Sequence, residues 1–261
     1  MTRLLHRLAP LPLRSAALRT GRRAVLLVVP LLLLGAALLV GLAPRSAHAQ
    51  IYVDADAGGA NNGTSWGNAY TDLQDALGVA TGTDEIWIAA GTYTPGSNRG
   101  DSFRITGGQD GLEIYGGFAG TETSRSQRDP TANPAILSGD IDGDGTPGGN
   151  SYHVLVFDGG TGIGPNVGPN VTTATVLDGV TVTGGNANGS SLKNSRGGGL
   201  SCDGREGGCS PTLRRIAFTG NMAAILGGAI QNNGRLLGTS SPVITNATFT
   251  NNTAGSDGGA I

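Results

Sequence analysis

The sequence predicts an all-β protein, a parallel β-helix (solenoid) of stacked coils with a short N-terminal capping helix. Three observations carry this. Gly is very abundant, 46 of 261 residues, while charged residues make up only 14% and aromatics 5%. Gly disfavours helix interiors and suits a chain dense in turns. Apolar residues alternate in short runs bounded by Gly, Asn, Ser and Pro, the period-two pattern of strands. Finally, Ser210–Ile230 aligns without a gap on Ser241–Ile261, with identity at ten positions. Short strands repeating at such a spacing, with no helices between them, predict stacked coils.

In chain order, residues 1–49 come first and differ from the rest. They hold seven Arg and no acidic residue. Ala24–Ala43 is an uncharged apolar run, interrupted by Pro30, and Ala47-His48-Ala49 follows as a small-x-small pattern. A basic start, an apolar middle and a small-residue cut make a secretory signal, with cleavage expected after Ala49. An uncleaved anchor is the alternative, since an apolar run of that length also spans a bilayer. Arg22-Arg23 ahead of the apolar run has the look of a twin-arginine signal, although any basic start accounts for it. Beyond residue 49, ten of the 17 Lys and Arg remain against all 19 Asp and Glu, a net charge near −9. That balance argues against nucleic-acid binding and against docking on anionic lipid. No membrane span is expected in residues 50–261, and the expected location is secreted or cell-surface.

Residues 50–83 read as the cap region. Tyr70, Leu73, Leu77 and Ala80 recur at helical spacing, and Thr71 with Gln74 forms a capping-box pattern. A short amphipathic helix there covers the open end of the first coil, whose unpaired strand edge otherwise invites aggregation. Residues 84–261 read as β-helix repeats of six or seven coils. Strands are predicted at Glu85–Ala89, Phe103–Thr106, Leu112–Gly116, Ala135–Ser138 and His153–Phe157. Val176–Gly185 is an earlier copy of the repeat, with Gly197–Leu200 in place of Gly227–Ile230 and Asn188–Arg196 as an inserted loop. In the last two copies Phe218 is predicted to stack on Phe249, and Asn221 on Asn252 at a turn. The chain stops at Ile261, inside a repeat, so a C-terminal truncation is expected.

Cys202 and Cys209 are the chain's two cysteines. In an exported protein they are expected to form a disulfide closing a short loop. Two free thiols are the alternative. A metal site is disfavoured, because no His or further Cys lies nearby.

Phe218-Thr219-Gly220-Asn221 and Phe249-Thr250-Asn251-Asn252 resemble the Phe-x-x-Asn motif of chlamydial polymorphic outer-membrane proteins. Gly227–Ile230 and Gly258–Ile261 resemble their Gly-Gly-Ala-Ile motif. The stretch from Ile51-Tyr52-Val53-Asp54 through Trp66, Leu73 and Gly91-Thr92-Tyr93 resembles the opening of bacterial right-handed β-helix (pectin-lyase-like) repeat proteins. The resemblance covers nearly all of residues 50–261 and implies the right-handed form of the solenoid. It implies much less about activity, because one fold hosts many functions.

The sharpest candidate site is Asp140-Ile141-Asp142-Gly143-Asp144-Gly145, the first half of a calcium loop. Asp140, Asp142 and Asp144 are the candidate calcium ligands, and calcium is the one cofactor suggested. Ser151 occupies the twelfth position, where a bidentate Glu belongs, and a plain Asp/Gly turn is the alternative. Asp178, Arg214 and Arg215 lie on or near strands, and the pair Arg214-Arg215 offers itself to an acidic polysaccharide. The plainer reading makes Asp178 a turn residue and leaves one of the adjacent arginines pointing to solvent. His153 is the single His after residue 49 and reads as structural. Trp66, Trp87, Tyr93 and Tyr115 could stack on sugars but sit within apolar patterns, as cap and core residues do. None of the longer sequence blocks of polygalacturonases or pectate lyases is present. The expected function is therefore a non-catalytic, adhesin-like scaffold, with a glycan or a host or neighbouring cell surface as partner. The alternative is a polysaccharide lyase or glycoside hydrolase acting on acidic polysaccharide.

Overall fold

A computed structural model describes residues 48–160 and 169–261. The expected signal segment, except its last two residues, lies outside the described residues. His48–Ile261 forms one compact unit with its own hydrophobic core. The described residues hold twenty short strands and a single α-helix. Every pairing between strands is parallel.

Three main sheets take up the chain in rotation. The first has six strands, in the order Ala49–Val53, Asp84–Ala89, Glu113–Phe118, Val176–Asp178, Thr212–Arg214 and Val243–Thr245. The second has five, from Gly91–Tyr93 through Ala135–Ser138, Val180–Thr183 and Ala217–Thr219 to Thr248–Thr250. The third has four, from Phe103–Thr106 through Leu155–Asp158 and Leu200–Asp203 to Ile230–Asn233. Each strand pairs with its counterpart one coil away. Parallel neighbours need a long crossover, and the strands of the other sheets supply it. This is consistent with an all-β parallel solenoid, of six coils along the first sheet, each step about 4.8 Å.

The period of two fixes what faces inward. Along the first sheet Ile51, Ile86, Ile114, Leu177, Leu213 and Ile244 fall in one register row. The four central members of that row are buried in the main core, and Ile51 and Ile244 at its ends are partly buried. The repeat behaves as its residues predict. Phe218 and Phe249 are register partners whose rings stack at 5.4 Å and 6°. Asn221, fully buried, accepts from the Gly185 amide at 3.1 Å and donates to the Val182 carbonyl at 3.0 Å. It also donates to Asn252 Oδ1 at 3.0 Å, and Asn252 donates to the Phe218 carbonyl at 2.8 Å. The corner before the third sheet bears a positive φ in three successive coils, at Gly197, Gly227 and Gly258 (71°, 63° and 65°). Only Gly takes that conformation without strain.

Two strands, Phe103–Thr106 and Ala135–Ser138, have the predicted bounds. The others shift by one or two residues, to Asp84–Ala89, Glu113–Phe118 and Leu155–Asp158. The helix forms at Leu73–Val79, but its N-cap is Asp72, whose side chain accepts from the Gln74 amide at 2.8 Å. The Thr71–Gln74 pattern does not cap it; the Thr71 amide donates to Asn61 Oδ1 at 2.8 Å. Nor does the helix precede the first coil. The strand Ala49–Val53 already pairs with Asp84–Ala89. Its outer edge is covered by the following loop, through the Tyr52 amide on the Gly63 carbonyl (3.0 Å) and the Asp54 amide on the Tyr70 carbonyl (2.8 Å). The helix adds Leu73, Ala76 and Leu77 to the core beside Phe103 and Ile105. Gln109 Nε2 fastens its C-terminal end by donating to the Leu77 and Ala80 carbonyls at 2.9 and 3.3 Å. Cys202 and Cys209 are buried with their sulfurs at bonding distance and their Cα atoms 5.7 Å apart.

Candidate functional site

The outer face of the first sheet carries most of the chemistry. Residues that alternate with the inward row form an outward row of Tyr52, Trp87, Tyr115, Asp178 and Arg214. Beside it, Glu85 and Glu113 are register partners. Two like charges so placed repel, and an arginine resolves the conflict. Arg125 Nη1 lies 3.0 Å from Glu85 and 2.9 Å from Glu113. Arg125 comes from a single 3-10 turn, Arg125–Gln127, capped by Ser124. The Arg125 guanidinium also lies 4.4 Å over the Tyr115 ring. Burial, with the Glu113 carboxylate beside it, pushes the Tyr115 hydroxyl far above its ordinary pKa, so it stays protonated. Farther up the row, Trp87 stacks on Phe118 at 4.5 Å and 10°, and Tyr52 meets Trp66 edge-on at 4.8 Å. Trp87 and Tyr115 are buried in this second apolar cluster, and Tyr93 is buried in the main core.

Asp178 is the centre of the charged part. Its side chain is fully buried at the end of a strand. Arg128 reaches Oδ1 at 2.9 Å. Arg215 contacts both oxygens, at 2.9 and 2.6 Å. Arg214 Nε lies 3.2 Å from Oδ2. The reading that one of the two adjacent arginines points to solvent is corrected here: both turn to the same carboxylate. The reason lies in the corner. Arg215 has a φ of +48°, and the aligned corner residues Gly179 and Asn246 have +78° and +52°. A left-handed backbone swings residue 215 back towards Asp178, at a local cost of roughly 1–2 kcal/mol for a residue with a Cβ. Arg125, Ser126, Arg128, Pro130 and Arg215 line a depression of about 400 Å³ beside this cluster.

The predicted calcium residues do come together. Carboxylate oxygens of Asp140, Asp142 and Asp144 lie within 4.8 Å of one another. Gly143 and Gly145 make the turn with φ of 69° and 70°. Asp140 Oδ2 accepts from the Gly145 amide at 3.1 Å, and Asp144 accepts from the Thr146 amide and hydroxyl at 2.6 and 2.9 Å. Ser151 is buried, and its amide donates to the Gly139 carbonyl at 2.8 Å. Calcium takes six to eight oxygens, so three monodentate aspartates alone leave about half its sphere to water or backbone. His153 is buried, with Nδ1 2.8 Å from the Gly197 carbonyl of the next coil. Burial holds its pKa below the ordinary value.

Sequence reasoning named Asp178, Arg214 and Arg215 but missed Arg128, Arg125, Glu85 and Glu113. The two glutamates were reachable: the strand alignment that places Ile86 over Ile114 also places Glu85 over Glu113. Arg125 and Arg128 lie in a segment with no repeat signal, and nothing in the pattern pointed to them. Comparison with protein-family models, curated proteins and solved structures gave no match to this chain. Among the described residues no helix is long and apolar enough to cross a membrane.

Proposed function

We propose that this chain is an exported, secreted or surface-displayed scaffold, a right-handed parallel β-helix that binds its partner without transforming it. The fold-level resemblance to pectin-lyase-like repeat proteins and to polymorphic outer-membrane proteins belongs to this reading. One observation carries the non-catalytic part. The carboxylate at the centre of the charged cluster, Asp178, is fully buried, and its two oxygens are both taken up by arginine. A general base needs a lone pair within reach of substrate, and this buried carboxylate presents none to solvent.

A second reading, a polysaccharide lyase or hydrolase, is favoured by the gathering of Asp178 with three arginines beside an open depression. Incubation with polyuronates, followed by ultraviolet absorbance of unsaturated products and by reducing-end assay, separates the two. The scaffold reading expects retention on an acidic-glycan or cell-surface array with no product. Turnover that disappears in Arg214→Ala, with the fold intact, replaces it with the enzyme reading.

A further inference from the structure

A different face of the molecule carries an unmatched charge. On the outer face of the third sheet, Ser201 and Gln231 are register partners, as are Asp203 and Asn233. They floor a depression of about 230 Å³, walled by Leu192, Lys193 and Arg196 on one side and by Arg205, Arg235 and Leu236 on the other. Four cations thus meet one acidic lining residue, Asp203. Asp203 is occupied by Arg205, through contacts of 2.9, 3.1 and 2.7 Å. Lys193, Arg196 and Arg235 have no ion-pair partner among the described residues. Arg196 Nε is buried and makes no hydrogen bond. Leu192 and Leu236 are 60% and 64% exposed. No aromatic side chain lines the groove, which disfavours a sugar ring and suits aliphatic and acidic side chains.

The chain itself supplies a matching piece. Residues 139–149 contain Asp140, Asp142 and Asp144, the apolar Ile141, and no basic residue. This acidic loop joins the second sheet to the third ahead of Leu155–Asp158. The basic loop Asn188–Arg196 makes the same connection one coil later, ahead of Leu200–Asp203. Asn186 Nδ2 donates to the Pro147 carbonyl at 2.5 Å, so the two connections touch. Three aspartates and two of the unpaired cations, Lys193 and Arg196, therefore share one edge of the stack, while Arg235 stands across the groove. Yet no ion pair joins them among the described residues.

We propose that this edge is a self-association surface, with a second copy of the chain as its occupant. A two-fold axis across the edge sets each acidic loop opposite the partner's basic groove, so both contacts form at once and the interface closes as a dimer. The Asp140–Asp144 carboxylates meet Lys193 and Arg196, with Arg235 reached across the groove, and Ile141 meets Leu192. The charges cancel, which also explains how exposed leucines and unpaired arginines persist on an otherwise acidic surface. This inference is independent of whether the protein binds or cleaves glycans.

Sedimentation of the compact unit His48–Ile261, which holds the buried core cluster, tests it. The expected result is a monomer–dimer equilibrium that weakens about tenfold or more from low to high salt, as screening removes the steering charges. Asp142→Lys with Asp144→Lys, and separately Lys193→Glu with Arg196→Glu, each leave a monomer. Mixing the two double variants restores the dimer, because one of its two contacts then pairs reversed charges that attract again. That restoration also shows that neither variant has simply unfolded. A chain that stays monomeric up to about 1 mM, or a dimer indifferent to both reversals, such as one paired through the edge strand Val243–Thr245, overturns the proposal.

Discussion

The two halves of the stack hold the same register by different means. In the last two coils the inward row advances from Leu213 to Ile244 by the same step that separates Phe218 from Phe249, and identical side chains fall over one another. In the earlier coils the same row advances from Ile51 to Ile86, then to Ile114, then to Leu177, in steps of unequal length, the last by far the longest. Register therefore does not depend on a constant coil length. It depends on an apolar residue arriving at the inward position after each loop, whatever that loop's length. The late coils achieve this by repetition and the early coils by burial, with the charged outer face pinned by Arg125 and Arg128.

The sharpest break of this comparison is in the stacked pair. Phe218 is fully buried between coils, whereas Phe249 is only partly buried. Phe218→Ala is expected to lower unfolding free energy by about 3–5 kcal/mol. Phe249→Ala is expected to cost about 2 kcal/mol or less, because part of its ring already meets solvent. Urea titration by circular dichroism measures both. Equal losses mean that the last coil is as well buried in solution as the one before it. A separate early transition confined to Phe249→Ala means that the final coil unfolds on its own, as repeat arrays can.

The contrast also explains what could be read in advance. Phe218, Asn221 and Gly227–Ile230 were legible because their partners recur one coil later in kind as well as in place. Strands such as Phe103–Thr106 were legible from alternation alone. The helix existed where its apolar spacing placed it, but its cap did not. Asp72 and Thr71 both satisfy cap chemistry, and only the Asn61 side chain in the adjoining loop decides between them. The clasp around Asp178 was half legible. The arginine pair and the aspartate stood out in sequence. Their convergence depends on a left-handed corner at Arg215, a conformation that sequence assigns to Gly or Asn. Arg128 arrives from a distant loop that carries no repeat signal.

That clasp joins the halves, so it gives the second test. Arg128 belongs to the early coils, and Arg214 and Arg215 to the late ones. Asp178→Asn removes the charge that holds a guanidinium only 7% exposed. The loss is expected to be about 3–5 kcal/mol, since one buried partner of an ion pair is left without its counterion. Arg214→Ala is expected to change stability by about 1 kcal/mol or less, because that side chain is 41% exposed and screened by water. Thermal unfolding of the two variants side by side measures the difference. If Arg214→Ala proves as costly as Asp178→Asn, the cluster acts as one indivisible unit and the early coils have no separate anchor.

The smallest effect is expected at His153, where an early coil meets the later stack. Its Nδ1–H donates to the Gly197 carbonyl in the neutral ring, and Nε2 is buried without a partner among the described residues. Burial holds the folded-state pKa below the ordinary 6.5, and the charge of Lys193 acts in the same direction. The unfolded chain therefore takes up the proton first. Stability is complete above about 6.5 and falls as pH drops from there towards the folded-state pKa. Melting temperatures of the parent and of His153→Gln, compared between about pH 7.5 and 5.5, isolate this group from the carboxylates that titrate lower. The parent is expected to lose stability over that range more steeply than the Gln variant. Parallel curves mean that the imidazole reaches water at this junction, and that the early and late coils are less tightly sealed there than the burial of His153 implies.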